Sequence, residues 1–328
     1  MVQNLLVYVA QSTNPYHNIA TEKYLLETVQ KNTCILYLWQ NQNTVVIGRN
    51  QNAWVECRTS LLEEEGGKLA RRLSGGGAVF HDLGNLNFTF LMQEENYDLD
   101  KQLSVIQKAC GYFGIDVQRS GRNDLLAQGQ KFSGNAFYHA QGNAYHHGTL
   151  LVNADMEKLS RYLTPSKAKL EAKGVSSVRS RVVNLQSLSP SLTCENLASA
   201  MQKAFGEVYA LTPHHLELSN QAIAQIGVYE EALSKWDWLY GNRMPCSFSC
   251  EERFSWGGLL MEMQVADGVI QSLQVFSDAM DWQLPQKLEQ ALSGCRFAKQ
   301  AMIQRVLAHL DSSQNAKDIC TLLEKQDI

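Results

Sequence analysis

Arg71-Arg72-Leu73-Ser74-Gly75-Gly76-Gly77-Ala78-Val79-Phe80-His81-Asp82 is the most informative stretch of the chain. Three consecutive glycines let backbone approach a ligand closely and present several N–H donors with no side chain in the way. The two arginines just upstream supply fork-shaped cations suited to phosphate or carboxylate. Together they read as an anion cradle, although a glycine triplet alone is as easily a turn between strands. The stretch is not a P-loop, because GxxxxGK followed by Ser or Thr is absent. Nor is it a dinucleotide fingerprint, because Phe80 stands at the third glycine position counted from Gly75.

Three downstream segments carry further chemistry. Gly121-Arg122-Asn123-Asp124 is followed by Lys131-Phe132-Ser133-Gly134-Asn135-Ala136. A lysine on a strand can point its ammonium into a polyanion site while its neighbours face the other way. Taken alone, a solvated strand lysine is the commoner fate. Asp124, acceptor-only when ionised, suits Mg²⁺ or a hydroxyl, and equally a turn or cap. In His146-His147-Gly148-Thr149 the adjacent histidines project to opposite faces of a strand, a poor bidentate metal site. One is expected to pack near the site and the other to be exposed. Finally, Lys173-Gly174-Val175-Ser176-Ser177-Val178-Arg179-Ser180-Arg181 interleaves basic and small hydroxyl residues, as suits a loop that closes on a phosphate ester, or a solvated connector.

Around these segments, β-like runs at 36–38, 45–47, 115–118, 124–126, 132–138 and 147–152 outnumber the helical patterns between them. Leu103, Ile106, Ala109, Cys110 and Phe113 recur at helical spacing, with Asp98 or Asp100 as cap and Gly111 or Gly114 as stop. An α+β fold on a mainly antiparallel sheet fits better than a doubly wound one. A helix-rich stretch over about 155–210 follows, and an aromatic-laden segment from Ala232 to Cys250 interrupts the pattern. Met261, Met263 and Val265 then alternate with polar residues, Asp267-Gly268 is a type I′ turn dipeptide, and 269–276 returns as the partner strand. Leu284, Leu288 and Leu292, then Met302, Val306 and Leu310, mark two amphipathic helices. The division expected is a large domain over 1–244 and a small α+β domain over 245–328.

The bulk numbers agree with a two-domain protein that needs no staple: 328 residues, 45% hydrophobic, 19% charged. A net charge of -4 argues against nucleic acid as the main partner. The eight cysteines are scattered without a CxxC, and reduced, buried thiols are expected. The N-terminus lacks the basic and apolar regions of a signal peptide, and no run approaches ~18 apolar residues. A cytoplasmic protein, with no membrane partner, is expected.

The order of the segments adds more than any one of them. RRLSGGGAVFHDLGN, GRNDL, KFSGNAF, HHGTLLVNAD and KGVSSVRSRVVNL occur in register, preceded by NPYHNIATEKYLL and LYLWQNQNTVVIGRNQNAWVEC and followed by FSWGG. In this the chain resembles the lipoate–protein ligase A family, which shares its catalytic fold with biotin–protein ligases. The resemblance implies a two-step reaction. Lipoate and ATP form lipoyl-AMP and pyrophosphate with Mg²⁺, and the lipoyl group then passes to one lysine of an acceptor protein. It implies Lys131 as the central catalytic cation, bridging the lipoate carboxylate and the α-phosphate. Arg72, Gly77, Ala78, Val79, Phe80, Asn123, Asp124 and Arg179 would serve ATP, with Asp124 as the one candidate Mg²⁺ ligand. Ser74, Gly75, Gly76, His81, Ser133, Gly134 and His147 would line the lipoate side. Implied partners are the lipoyl domains of 2-oxoacid dehydrogenase acyltransferase subunits and the glycine-cleavage H protein; a monomer is expected, with no permanently bound cofactor.

One departure stands out: Tyr138 sits where some relatives carry an arginine directed at the lipoyl group, which bears on lipoate against octanoate. Three alternatives are weaker. A transferase of the same fold would use an acyl-cysteine, but the nearest cysteines are Cys110 and Cys194. A biotin ligase fits the glycine segment less well. A non-catalytic scaffold would not need Arg72, Lys131 and Arg179 together.

Overall fold

The computed structural model describes residues 1–120, 124–163, 182–241, 248–310 and 313–326. The expected division at 244/245, Asn123, Arg179 and the basic loop over 173–181 therefore lie outside the described residues.

Eleven strands precede residue 216: β1 (Asn4–Val9), β2 (Thr33–Trp39), β3 (Thr44–Ile47), β4 (Lys68–Arg71), β5 (Val79–His81), β6 (Asn85–Gln93), β7 (Val117–Ser120), β8 (Asp124–Ala127), β9 (Gln130–Ala140), β10 (Asn143–Leu151) and β11 (Pro213–His215). Eight form one sheet in the order β11-β1-β2-β6-β10-β9-β8-β7. β1 pairs in parallel with both β2 and β11, and every other pairing in this sheet is antiparallel.

Both faces of the central strands are covered, which is why β2 reads as an unbroken apolar run, TCILYLW, rather than as an alternation. Leu36, Leu38, Phe88 and Phe90 face one core beneath the helices Leu99–Gly111 and Cys194–Tyr209. Ile35, Tyr37, Trp39 and Leu91 face the other, beneath the helices Pro15–Thr28 and Asn220–Ser234. Asp98 caps its helix as expected, accepting the Lys101 N–H. Over 232–241 the aromatic-laden segment is helical: one helix runs to Ser234 and a short one, Trp236–Tyr240, follows.

β3 forms the middle of a second, three-stranded sheet, parallel to β4 and antiparallel to β5. The glycine triplet is the connection from β4 to β5, so it is both a turn between strands and an element of the site.

The C-terminal residues build their own core. β12 (Phe248–Phe254), β13 (Gly257–Ala266) and β14 (Val269–Ser277) form an antiparallel meander. Met261, Met263 and Val275 pack there with Leu288, Val306 and Ile319 of the helices Leu284–Leu292, Lys299–His309 and Gln314–Glu324. Asp267 and Gly268 both have positive φ, +52° and +72°, as a type I′ turn requires. The last of the three helices was not among the sequence expectations. Among the described residues, no helix is long and apolar enough to cross a membrane.

Candidate active site

Both arginines ahead of the triplet are buried and braced by backbone. Arg71 donates to the carbonyls of Gly48, Arg49, Gln51, Trp238 and Leu239. Arg72 donates to the carbonyls of Val46, Gly75 and Gly77 and to Ser74 Oγ. Burial lowers both guanidinium pKa values to about 10, which leaves them cationic at neutral pH. In this structure Arg72 thus holds the shape of the glycine loop.

The loop meets the C-terminal unit directly. A Cβ on Gly75 would stand 2.3 Å from the Ala279 carbonyl oxygen, too close for any side chain. The next residue, Gly76, donates its N–H to that same oxygen at 3.1 Å. One donor of the expected cradle is therefore occupied by protein.

Above the loop lies a cavity of about 280 Å³. Its wall includes Arg72, Gly76, Gly77, Ala78, Val79, Phe80 and His81, together with Asp124, Lys131, Gly134 and His147. Ser74, Gly75 and Ser133 stand behind that wall. Lys131 enters from β9, while its neighbour Phe132 turns into the core, the alternation a strand imposes. Its Nζ lies 2.7 Å from Asp124 Oδ1 and about as close as Gly134 allows, since a Cβ there would be 3.0 Å away.

Behind the wall runs a buried polar chain. Glu22, on the helix Pro15–Thr28, is fully buried and accepts from Thr89 Oγ1 at 2.7 Å. His147 Nδ1 lies 2.7 Å from the same carboxylate oxygen, and its Nε2 lies 2.8 Å from Ser74 Oγ. A carboxylate only accepts, so Nδ1 carries the proton and Nε2 faces the serine. His81, at the cavity, receives Asn41 Nδ2–H on Nδ1, and burial pushes its pKa down to about 3, so it is neutral.

The histidine pair departs from expectation: His147 reaches the site, but His146 is buried rather than exposed. It packs among Phe88, Phe90 and Phe137 and bonds Gln102 and Asn135, because this sheet is covered on both faces. Tyr138 does not reach the first cavity either. It packs on Trp282 and lines a second cavity of about 340 Å³ beside Arg49. Among the described residues, no group of three His, Cys, Asp or Glu side chains is placed to hold a metal.

Trp39, Asn87, Thr149, Arg253, Trp256, Asp278 and Met280 also line the cavity and were not singled out as site residues from sequence. Trp256 and Gly257 fall within the FSWGG element, which was the one signal pointing to the C-terminal side. The two described cysteines considered as nucleophiles do not line the cavity. Burial pushes the Cys110 thiol up to about 12 and Cys194 to about 11.

Comparison with known proteins agrees with this architecture. Residues 14–206 match the lipoyl protein ligase A/B catalytic domain and residues 243–324 the bacterial lipoate protein ligase C-terminus. Lipoate-protein ligase A of Psychrobacter cryohalolentis is 41% identical over 295 residues, 88% of this chain and 87% of its own. The protein of the same name from Bdellovibrio bacteriovorus is 40% identical, covering 94% and 93%. The crystal structure of P. falciparum LipL1 in complex with lipoate superposes with a TM-score of 0.86 at 31% identity, covering 98% of this chain and 100% of that one. With relatives this similar over nearly its whole length, the chain belongs to the lipoate–protein ligase A family.

Proposed function

We propose that the protein is an ATP-dependent lipoate–protein ligase. In the first step a lipoate carboxylate oxygen attacks the α-phosphorus of ATP, the bond to pyrophosphate breaks, and lipoyl-AMP forms. In the second, the neutral amine of an acceptor lysine attacks the lipoyl carbonyl carbon. AMP leaves, and the nitrogen gives up a proton as the amide forms.

Neither step needs a nucleophile from the enzyme. Two anions must be brought together, so positioning and charge stabilisation carry the catalysis. The observation that supports this most is Lys131 Nζ on the wall of a cavity whose floor is the glycine loop. Lys131 bridges the lipoate carboxylate and the α-phosphate, an electrostatic role rather than a nucleophilic one. The amides of Gly77, Ala78, Val79 and Phe80 serve the nucleotide, and the family resemblance assigns Asn123 and Arg179 to its phosphates. Gly134, His81 and His147 line the lipoate side, with Ser74, Gly75, Gly76 and Ser133 supporting it. Asp124 fits a divalent cation as one carboxylate oxygen donor. When bound with ATP, Mg²⁺ would be held on the protein side by Asp124 and would supply neutralisation of the phosphate charge.

The domains divide near 244, the larger part carrying Lys131 and the glycine loop. The acceptor class is the lipoyl domain and the related H protein. An acyl-cysteine transferase is disfavoured, because the described cysteines are absent from the cavity wall.

The test is lipoate-dependent exchange of labelled pyrophosphate into ATP, with octanoate and biotin run alongside. Exchange with lipoate supports the reading. A folded protein that exchanges with none of the acids refutes it.

A further inference from the structure

The cations around the cavity are not equally available. Arg72 directs its donors to three backbone carbonyls and a serine hydroxyl. Lys131 is a single point charge with Asp124 beside it. Adenylation nevertheless brings a carboxylate and a triphosphate into one cavity of about 280 Å³. A third cation on the wall comes from the other end of the chain: Arg253, the penultimate residue of β12.

Arg253 is held in a particular pose. Its Nη1 lies 3.0 and 3.2 Å from the two carboxylate oxygens of Asp278, and its side chain is 26% exposed against 8% for Asp278. Asp278 also accepts the Gly258 N–H at 2.7 Å, so the carboxylate is fixed from a second direction. Arg253 Nη1 lies 3.1 Å from where a Gly258 Cβ would stand, so the missing side chain lets the guanidinium lie close over the backbone. The residue after Asp278 is Ala279, whose carbonyl takes the Gly76 N–H. Arg253 is thus one ion pair and one peptide away from the glycine loop.

Resting on the ligase reading above, we propose that Arg253 binds the triphosphate of ATP during adenylation, as a fork-shaped cation delivered by the C-terminal unit and aimed by Asp278. Both contacts to Asp278 run through Nη1, and the planar fork is suited to phosphate oxygens in a way a lysine is not. The charge it answers departs with pyrophosphate. Arg253 therefore serves the first half-reaction, and transfer from lipoyl-AMP proceeds without it.

The experiment uses the full-length protein and its Arg253→Ala, Arg253→Lys and Asp278→Asn variants, each checked for folding by its thermal midpoint. Lipoate-dependent ATP–pyrophosphate exchange is measured against ATP and against lipoate. Transfer to a lipoyl domain is measured separately from chemically prepared lipoyl-AMP. Arg253→Ala is expected to lower exchange about 10²-fold, the usual loss for one preorganised charge-stabilising donor. KM for ATP should rise, KM for lipoate hold, and transfer stay within roughly twofold. Arg253→Lys should restore part of the loss, and Asp278→Asn should raise KM for ATP with transfer intact.

Normal exchange in Arg253→Ala overturns the proposal. So does an equal loss in both half-reactions with no rescue by lysine, which marks a purely structural ion pair. If wild-type protein shows no lipoate-dependent exchange, the ligase reading itself falls. Active wild type beside an equally active Arg253→Ala refutes only the role of Arg253.

Discussion

Lys131 and Arg72 show how two cations in one site do different work. Lys131 presents an ammonium to the cavity beside Asp124, so Lys131→Ala should cost adenylation ~10²-fold or more with little change in stability. Near-normal pyrophosphate exchange in that variant would remove the lysine from the mechanism. Arg72 braces the loop through several hydrogen bonds at once, and Arg72→Lys keeps the charge while stranding carbonyls. Each buried acceptor left without a donor costs ~1–3 kcal/mol, so that variant should lose both thermal stability and exchange. An unchanged melting temperature would contradict the bracing role. Sequence reading found the residues that sit in contiguous signatures: the glycines, Lys131 and His147. It missed Glu22 because a glutamate in ATEKYLL looks like the polar face of an amphipathic helix. Its complete burial is set by Thr89 and His147, far away in the chain. Arg253 and Asp278 were missed because no local motif announces an ion pair between a strand residue and one 25 positions further on.

At the scale of elements, the contact that matters most joins the β4–β5 connection to the segment after β14. Gly75 lies against the Ala279 carbonyl, and its Cβ position is only 2.3 Å from that oxygen. Gly75→Ala must therefore push the two segments apart. A displacement of about 1 Å at a reacting centre can cost ~10² in rate, so exchange should fall by at least tenfold. The cores of both units should stay folded by circular dichroism, and full activity in Gly75→Ala would show the close contact to be dispensable. The C-terminal hairpin was readable in advance because Asp267-Gly268 and the flanking alternation specify turn and register together. The placement of that hairpin against the glycine loop was not, because it depends on interatomic fit at Gly75 rather than on any local pattern. The same limit explains His146: alternation put it opposite His147, but its burial follows from the helices covering that face and the phenylalanines around it.

For the whole molecule, buried neutral histidines link folding to pH. Burial lowers His81 and His146 from the usual range near 6.5 to about 3. Between those values the unfolded chain binds protons that the folded protein refuses, so their contribution is full above about pH 6.5 and is lost as pH falls towards 3. Each adds a slope of up to ~1.4 kcal/mol per pH unit within that window. Denaturant midpoints should therefore drop steadily below about pH 6.5. His146→Gln, which can still hydrogen-bond but cannot titrate, should flatten the slope. A slope identical to that of the wild type would show that His146 is not buried neutral.

The overall α+β architecture was legible from the excess of β-like runs and from the ordered signatures. What the signatures did not carry was the meeting of two separately cored units over one cavity. Incubation of a purified lipoyl domain with the protein, lipoate, ATP and Mg²⁺, followed by intact mass, tests that ligase assignment most directly. The expected result is one lipoyl group on the acceptor lysine, appearing only when ATP and lipoate are both present. Modification without ATP, or an acceptor left unmodified by folded protein, would contradict it.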